Sequence, residues 1–320
     1  STLYSDIRKI MYPKDDVGAV LHVGVDVHAP LDRGTASVVS EKQENASVDG
    51  FLKWQTVTLA NSDFASTQTL KEHRESFEQL TVFERFHFRR LAYTWQYDII
   101  PNWNKRRSSI ARQMGYQAIP NDMRGMVWKL AVGNEMNVTR DLFRMCKREA
   151  RQMRRVGLSA SKQSIHSMLA VDIPRTFPRM KVFADNSPHV TKLQDVLETF
   201  AQYRPEIGYV QGMTNIAGML LFYTSVYDAF EIFCNLIERP FFSDLFTMNP
   251  DRYGVHVKVF DLLFYKNSPT LYGHFRKLNI LPELYLIDWF LTIFTRALPL
   301  PIAFRIWDNF ILDGDLFMFR

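Results

Sequence analysis

Two polar residues stand in short segments marked by proline or glycine. Arg175 lies in Leu169-Ala170-Val171-Asp172-Ile173-Pro174-Arg175-Thr176-Phe177-Pro178, and Gln211 lies in Gly208-Tyr209-Val210-Gln211-Gly212-Met213. A guanidinium neutralises charge on the equatorial oxygens of a transferring phosphoryl group, and a carboxamide orients the water that attacks it. Arg suits the first task because its planar, permanently charged fork bonds phosphate in two places, where Lys offers a point charge. An amide both donates and accepts, which suits the second. Held in rigid loops, the pair reads as catalytic groups offered in trans to a slow phosphoryl transfer carried out elsewhere.

The elements that must position these groups are helical. Beyond Ala118 nearly every segment is a helix punctuated by Pro or Gly: Met123–Val132, Thr139–Arg155, His189–Tyr203, Gly212–Tyr223, Ser225–Glu238, Pro250–Lys266, Pro269–Lys277, Pro282–Leu298 and Pro299–Leu312. Proline is tolerated at a first helical turn because its missing N–H has no intrahelical acceptor there. From about Thr67, Leu70, Phe77, Leu80, Phe83, Leu91 and Trp95 recur at turn-like spacing, and Pro101 ends that helix. The fold class expected is all-α. No strand–helix alternation and no glycine-rich phosphate loop occurs, so the chain is not expected to bind a nucleotide of its own.

Residues 1–66 differ from the rest. Leu31–Gly50 is rich in Ser, Glu, Asn and Gly and reads as mobile linker. The expected organisation is an N-terminal extension over 1–66, an amphipathic helix within 67–110, and one helical domain over 111–320. At 47% hydrophobic the chain has ample apolar surface for a core, and a net charge of +5 fits an acidic protein, a phosphate-bearing ligand or an anionic membrane without choosing among them. The two cysteines, Cys146 and Cys234, have no partner Cys or His at ligand spacing, so buried reduced thiols are expected and metal is not. No run of 18 apolar residues appears, which reads as a soluble chain. The first residue is Ser1, which reads as a processed, trimmed or partial chain.

Taken together, the motifs resemble the TBC domain of Rab GTPase-activating proteins, from near Gly115 to the last residue. Ile119-Pro120 with Arg124-Gly125-Met126-Val127-Trp128 is similar to the family's first motif, Asp172 and Arg175 to its second (Ile-x-x-Asp-x-x-Arg, with Leu169 in place of Ile), and Tyr209 with Gln211 to its third (Tyr-x-Gln). Leu286-Ile287-Asp288-Trp289-Phe290 and Arg305-Ile306-Trp307-Asp308 resemble its C-terminal half. The family continues further beyond this point, so a C-terminally shortened domain is expected. Ile100-Pro101-Asn102-Trp103 and Leu130–Glu135 resemble a subgroup linked to recycling endosomes and autophagy.

The resemblance implies a GTPase activator that has no reaction of its own. Arg175 is its arginine finger and Gln211 its glutamine finger, while GTP and Mg²⁺ belong to a Rab-family partner in its GTP state. Asp172 and Arg124 are expected to support this site, Asp172 by holding Arg124 or by steadying the Arg175 loop. Arg124 is expected to be partly buried and in need of a partner. Trp128 and Tyr209 are expected to pack, with the Tyr209 hydroxyl seeking a hydrogen bond. A cytoplasmic protein recruited to endomembranes through peripheral contact follows from the same resemblance. The alternative is a catalytically silent TBC-like scaffold or trafficking adaptor. Basic runs such as Lys147–Arg155 are not enough for a nucleic-acid binder, since no recognition motif accompanies them.

Overall fold

A computed structural model describes residues 82–106, 110–156, 160–184, 186–247 and 249–319. The expected extension and linker, and the part of the first helix before Val82, lie outside the described residues. Within them the chain is a bundle of helices: α1 Val82–Thr94, α2 Trp103–Arg106, α3 Ile110–Gln117, α4 Asn121–Val132, α5 Arg140–Val156, α6 Ala160–Asp172, α7 Pro188–Tyr203, α8 Met213–Leu221, α9 Val226–Ile237, α10 Pro240–Phe246, α11 Pro250–Asn267, α12 Pro269–Lys277, α13 Leu286–Thr292 and α14 Leu300–Asp313. No strand occurs among the described residues.

Local chemistry starts several of these helices. Ser187 accepts from the His189 N–H at 3.2 Å ahead of α7, and Asn249 accepts from Asp251 and Arg252 ahead of α11, each with proline as the first helical residue. α8 is buried along its whole length. It packs on α7, α9 and α13, with α5 against α7 and α14 against α3 and α4. Leu91, Trp95, Ile99 and Trp103, which precede the expected domain boundary, belong to the same buried core. The Trp95 indole donates to the Ala118 carbonyl at 2.8 Å.

Four helices have no counterpart in the sequence reading: α2, α3, α6 and α10. α6 is the consequential one, because it carries Asp172 as its last residue. Of its residues, Leu169 and Asp172 are buried while Ser167, Met168, Ala170 and Val171 are exposed. Small, polar and exposed apolar residues together blur the 3.6-residue period on which a helix is recognised. The single helix expected over Pro282–Leu298 is instead a 3₁₀ turn at Pro282–Leu284, then α13, then a break at Ile293 and Phe294 with φ of 46° and 60°. Left-handed backbone is costly for a β-branched residue. Ile293 is held there because its side chain is fully buried and its carbonyl accepts the Trp307 indole at 3.2 Å.

Gly125 in α4 is a contact point rather than a hinge. A Cβ placed on it would sit 2.1 Å from the Tyr223 carbonyl oxygen. Backbone cannot yield as a side-chain tip can, so Gly125→Ala must push α4 off its neighbour. We expect a net loss of about 1–3 kcal/mol in urea unfolding, despite the helix propensity alanine adds. An unchanged midpoint would contradict this packing.

Candidate functional site

The Arg175 segment begins where α6 ends. The Thr176 hydroxyl donates to the Asp172 carbonyl at 2.8 Å, and the Thr176 N–H donates to the Ile173 carbonyl at 3.0 Å, closing a tight turn. Ile173, Thr176 and Phe177 are buried, with the Phe177 ring 5.2 Å from that of Phe222, so the turn is anchored on both sides of Arg175. Arg175 itself points outward, its side chain 54% exposed.

The Gln211 segment is fixed in a comparable way. Gly208 and Gly212 have φ of 63° and 105°, and Gly212 is the residue from which α8 starts. At Gly212 the conformation favours glycine, and a Cβ would also press to 3.3 Å on Leu291. Tyr209 and Gly212 are buried whereas Gln211 between them is exposed. The Arg175 turn rests on the same helix: a Cβ on Gly218 of α8 would lie 3.0 Å from the Phe177 ring and 3.4 Å from the Thr176 methyl.

A single carboxylate joins the two segments. Asp172, nearly buried, accepts from an Arg175 Nη on one oxygen and from the Tyr209 hydroxyl on the other. Tyr209 stands two residues before Gln211, so one side chain links the loop of the guanidinium to the loop of the carboxamide. Burial first, and then the Asp172 charge, push the Tyr209 phenol well above its ordinary pKa, so it stays a donor throughout the physiological range. The arrangement presents a cation and an amide to solvent from the two ends of one braced unit. Both side chains are exposed, and Arg175 is turned by its bond to Asp172.

Arg124 and Trp128 occupy a different cluster. The Arg124 guanidinium bonds both oxygens of Asp308 at 2.8 and 3.0 Å, the Trp128 indole donates to the same carboxylate at 2.9 Å, and Arg124 also donates to Asn121 and to the Ile119 carbonyl at 3.2 Å. The guanidinium carbon lies 4.8 Å from the Tyr223 ring centroid. Burial lowers the Arg124 pKa, but Asp308 more than offsets this, and the net shift is upward. Arg124 is wholly buried rather than partly, and the expected option of a bond to Asp172 is not realised: Arg124 pairs with Asp308 on α14. Asp172 serves the Arg175 loop instead. The sequence reading included Asp308 only as part of the Arg305–Asp308 stretch. The need for an anion at Arg124 was legible, but no local signal tied it to a carboxylate 184 residues away.

Among the described residues, no group of three or more His, Cys, Asp or Glu side chains is placed to hold a metal ion, and no helix is long and apolar enough to cross a membrane.

Residues 121–320 match the Rab-GTPase-TBC domain, and the chain belongs to that family. It is 37% identical over 242 residues to human TBC1 domain family member 14 and 36% identical over 239 residues to rat TBC1 domain family member 12, covering 71% of this chain in each case. Those alignments span 35% and 34% of the two relatives, so the chain corresponds to about a third of their length. The crystal structure of the Chlamydomonas flagellar RabGAP TBC domain shares the fold, with a TM-score of 0.58 at 19% identity over 73% of this chain and 77% of that one.

Proposed function

We propose that this chain accelerates GTP hydrolysis by a Rab-family small GTPase in its GTP state, supplying Arg175 and Gln211 in trans. The nucleotide and its Mg²⁺ are held by the partner. Arg175 neutralises charge spreading over the γ-phosphate oxygens and Gln211 orients the attacking water. The observation that supports the reading is the shared Asp172 carboxylate, which bonds Arg175 and also Tyr209, two residues before the exposed Gln211, and so links the two loops. Family membership supports it. Cytoplasmic residence with recruitment to endomembranes belongs to the same proposal.

Bracing matters because positioning is most of the catalysis in phosphoryl transfer. A loose arginine loses side-chain entropy on docking, whereas one already turned by Asp172 loses less. The bond to Asp172 must open or shift for Arg175 to reach phosphate. The Tyr209 hydroxyl remains on the other carboxylate oxygen and keeps Asp172 in place meanwhile.

Loss of the water-orienting group is the specific test. Gln211→Ala is expected to lower the maximal hydrolysis rate of a responsive Rab by about 10²–10³, the usual cost of one preorganised polar group in a transition state. Binding of the Rab and the unfolding midpoint should change little, since Gln211 is exposed. A panel of GTP-loaded Rabs under single turnover measures this. Full activity of the variant on a Rab that the wild type activates would remove Gln211 from the mechanism.

A further inference from the structure

Helix α5 carries five arginines in a single line: Arg140, Arg144, Arg148, Arg151 and Arg155, at steps of four, four, three and four residues. At 3.6 residues per turn these fall within an arc of about 80° and run for about 22 Å along the helix. All five are exposed. Phe143, Cys146 and Ala150 occupy the opposite, buried side.

The charge of this row is only partly met by the fold. Lys147 at its edge bonds Asp195 of α7 at 2.9 Å, and Arg151 reaches the same carboxylate at 2.7 Å. Arg154, below the row, pairs with Glu198. Arg140 lies 4.2 Å over the Tyr227 ring, and Arg144 has a fully exposed partner in Asp141 at 3.0 Å. Arg148 and Arg155 have no ion pair among the described residues. Across α5 and α7 together, eight Lys and Arg side chains stand against four carboxylates, and the excess is on the outward line.

We infer that this row is a docking surface for an anionic lipid bilayer, met flat along the length of α5. The five arginines share one exposed face of the helix, and guanidinium forks match lipid phosphates. A protein partner would require an apolar centre depleted of charge, and the row offers none. A nucleic-acid groove would place phosphates on both flanks, yet one flank is lined by Asp195 and Glu198. Each cation near an anionic membrane surface adds roughly fivefold to binding, so the row suffices for reversible peripheral attachment without an inserted segment. This assignment is independent of the finger residues, and its test does not measure hydrolysis.

The test is flotation of the full chain with vesicles of phosphatidylcholine alone or with about 25 mol% phosphatidylserine. The wild type should bind only the anionic vesicles, and added salt should weaken the binding. The triple variant R144Q/R148Q/R155Q should lose affinity by about 100-fold while keeping its helical circular dichroism. The charge-conserving R144K/R148K/R155K should retain most of the binding, and it decides the matter should the glutamine variant fold poorly. Equal binding to neutral vesicles, none to either kind, undiminished binding by the glutamine variant, loss of binding by the lysine variant, or tighter capture of duplex DNA than of vesicles would each overturn the inference.

Discussion

Replacing Arg175 with alanine should reduce the chain's stimulation of a responsive Rab by roughly 10³–10⁵, the range over which an arginine supplied in trans accelerates small GTPases. The effect should fall on the rate of the chemical step more than on the affinity for the GTP-bound partner, because the charge that Arg175 meets develops in the transition state. Arg175→Lys should recover only a small part, since an ammonium on a flexible stem lacks the two-point contact. Stability should barely move: Arg175 is more than half exposed, and a surface ion pair of that kind is worth little. Asp172 keeps its Tyr209 partner in either variant. Single-turnover hydrolysis at saturating activator, alongside thermal unfolding, separates these effects. A variant equally active, or one inactive only because it unfolds, would count against the assignment.

The second large effect is structural. Asp308→Ala should cost about 3–5 kcal/mol of stability, because it leaves the Arg124 guanidinium buried without its anion and removes the acceptor of the Trp128 indole. Charge-pair arithmetic alone does not predict this magnitude. It comes from an uncompensated charge in a site with no exposure at all. The double change Arg124→Met with Asp308→Leu should therefore be milder than Asp308→Ala alone, since it removes both charges and keeps the volume. Urea unfolding of the three proteins measures the ordering. A single variant within about 1 kcal/mol of the wild type would show that the pair does not staple α4 to α14.

These two predictions separate what the sequence made legible from what it hid. Whereas α10, which also starts with a proline, was not readable, two helices with a proline at their start were readable nearly to the residue: Pro250–Lys266 against Pro250–Asn267, and Pro269–Lys277 without change. There the stop and start signals are local. The break after Thr292 was not readable, because it depends on Trp307 reaching the Ile293 carbonyl from another helix. Helix α6 was missed for a related reason, since its single buried edge is set by neighbours rather than by its own pattern.

The site divides along the same line. Residue types and spacing nominate Arg175 and Gln211, and the structure places both side chains at the surface; the Tyr209 hydroxyl makes the hydrogen bond it was expected to need. Which carboxylate served which arginine was not legible, because Asp172 and Asp308 are each within plausible reach of an Arg in the sequence alone. Packing settled it: Asp172 closes α6 beside the Arg175 turn, while Asp308 faces α4 across the core. Gly208 and Gly212, on either side of Tyr209 and Gln211, both take left-handed backbone, which is the conformation that glycine admits.

The central claim, that this chain brings its own water-orienting glutamine, has a direct measurement. A responsive Rab whose own catalytic glutamine is replaced by alanine is loaded with GTP, and hydrolysis is followed under single turnover with the wild-type chain and with Gln211→Ala. The account predicts that the wild type still accelerates this Rab strongly and that Gln211→Ala does not. Acceleration that disappears with the Rab's own glutamine, while Gln211→Ala remains fully active on the unaltered Rab, would contradict it.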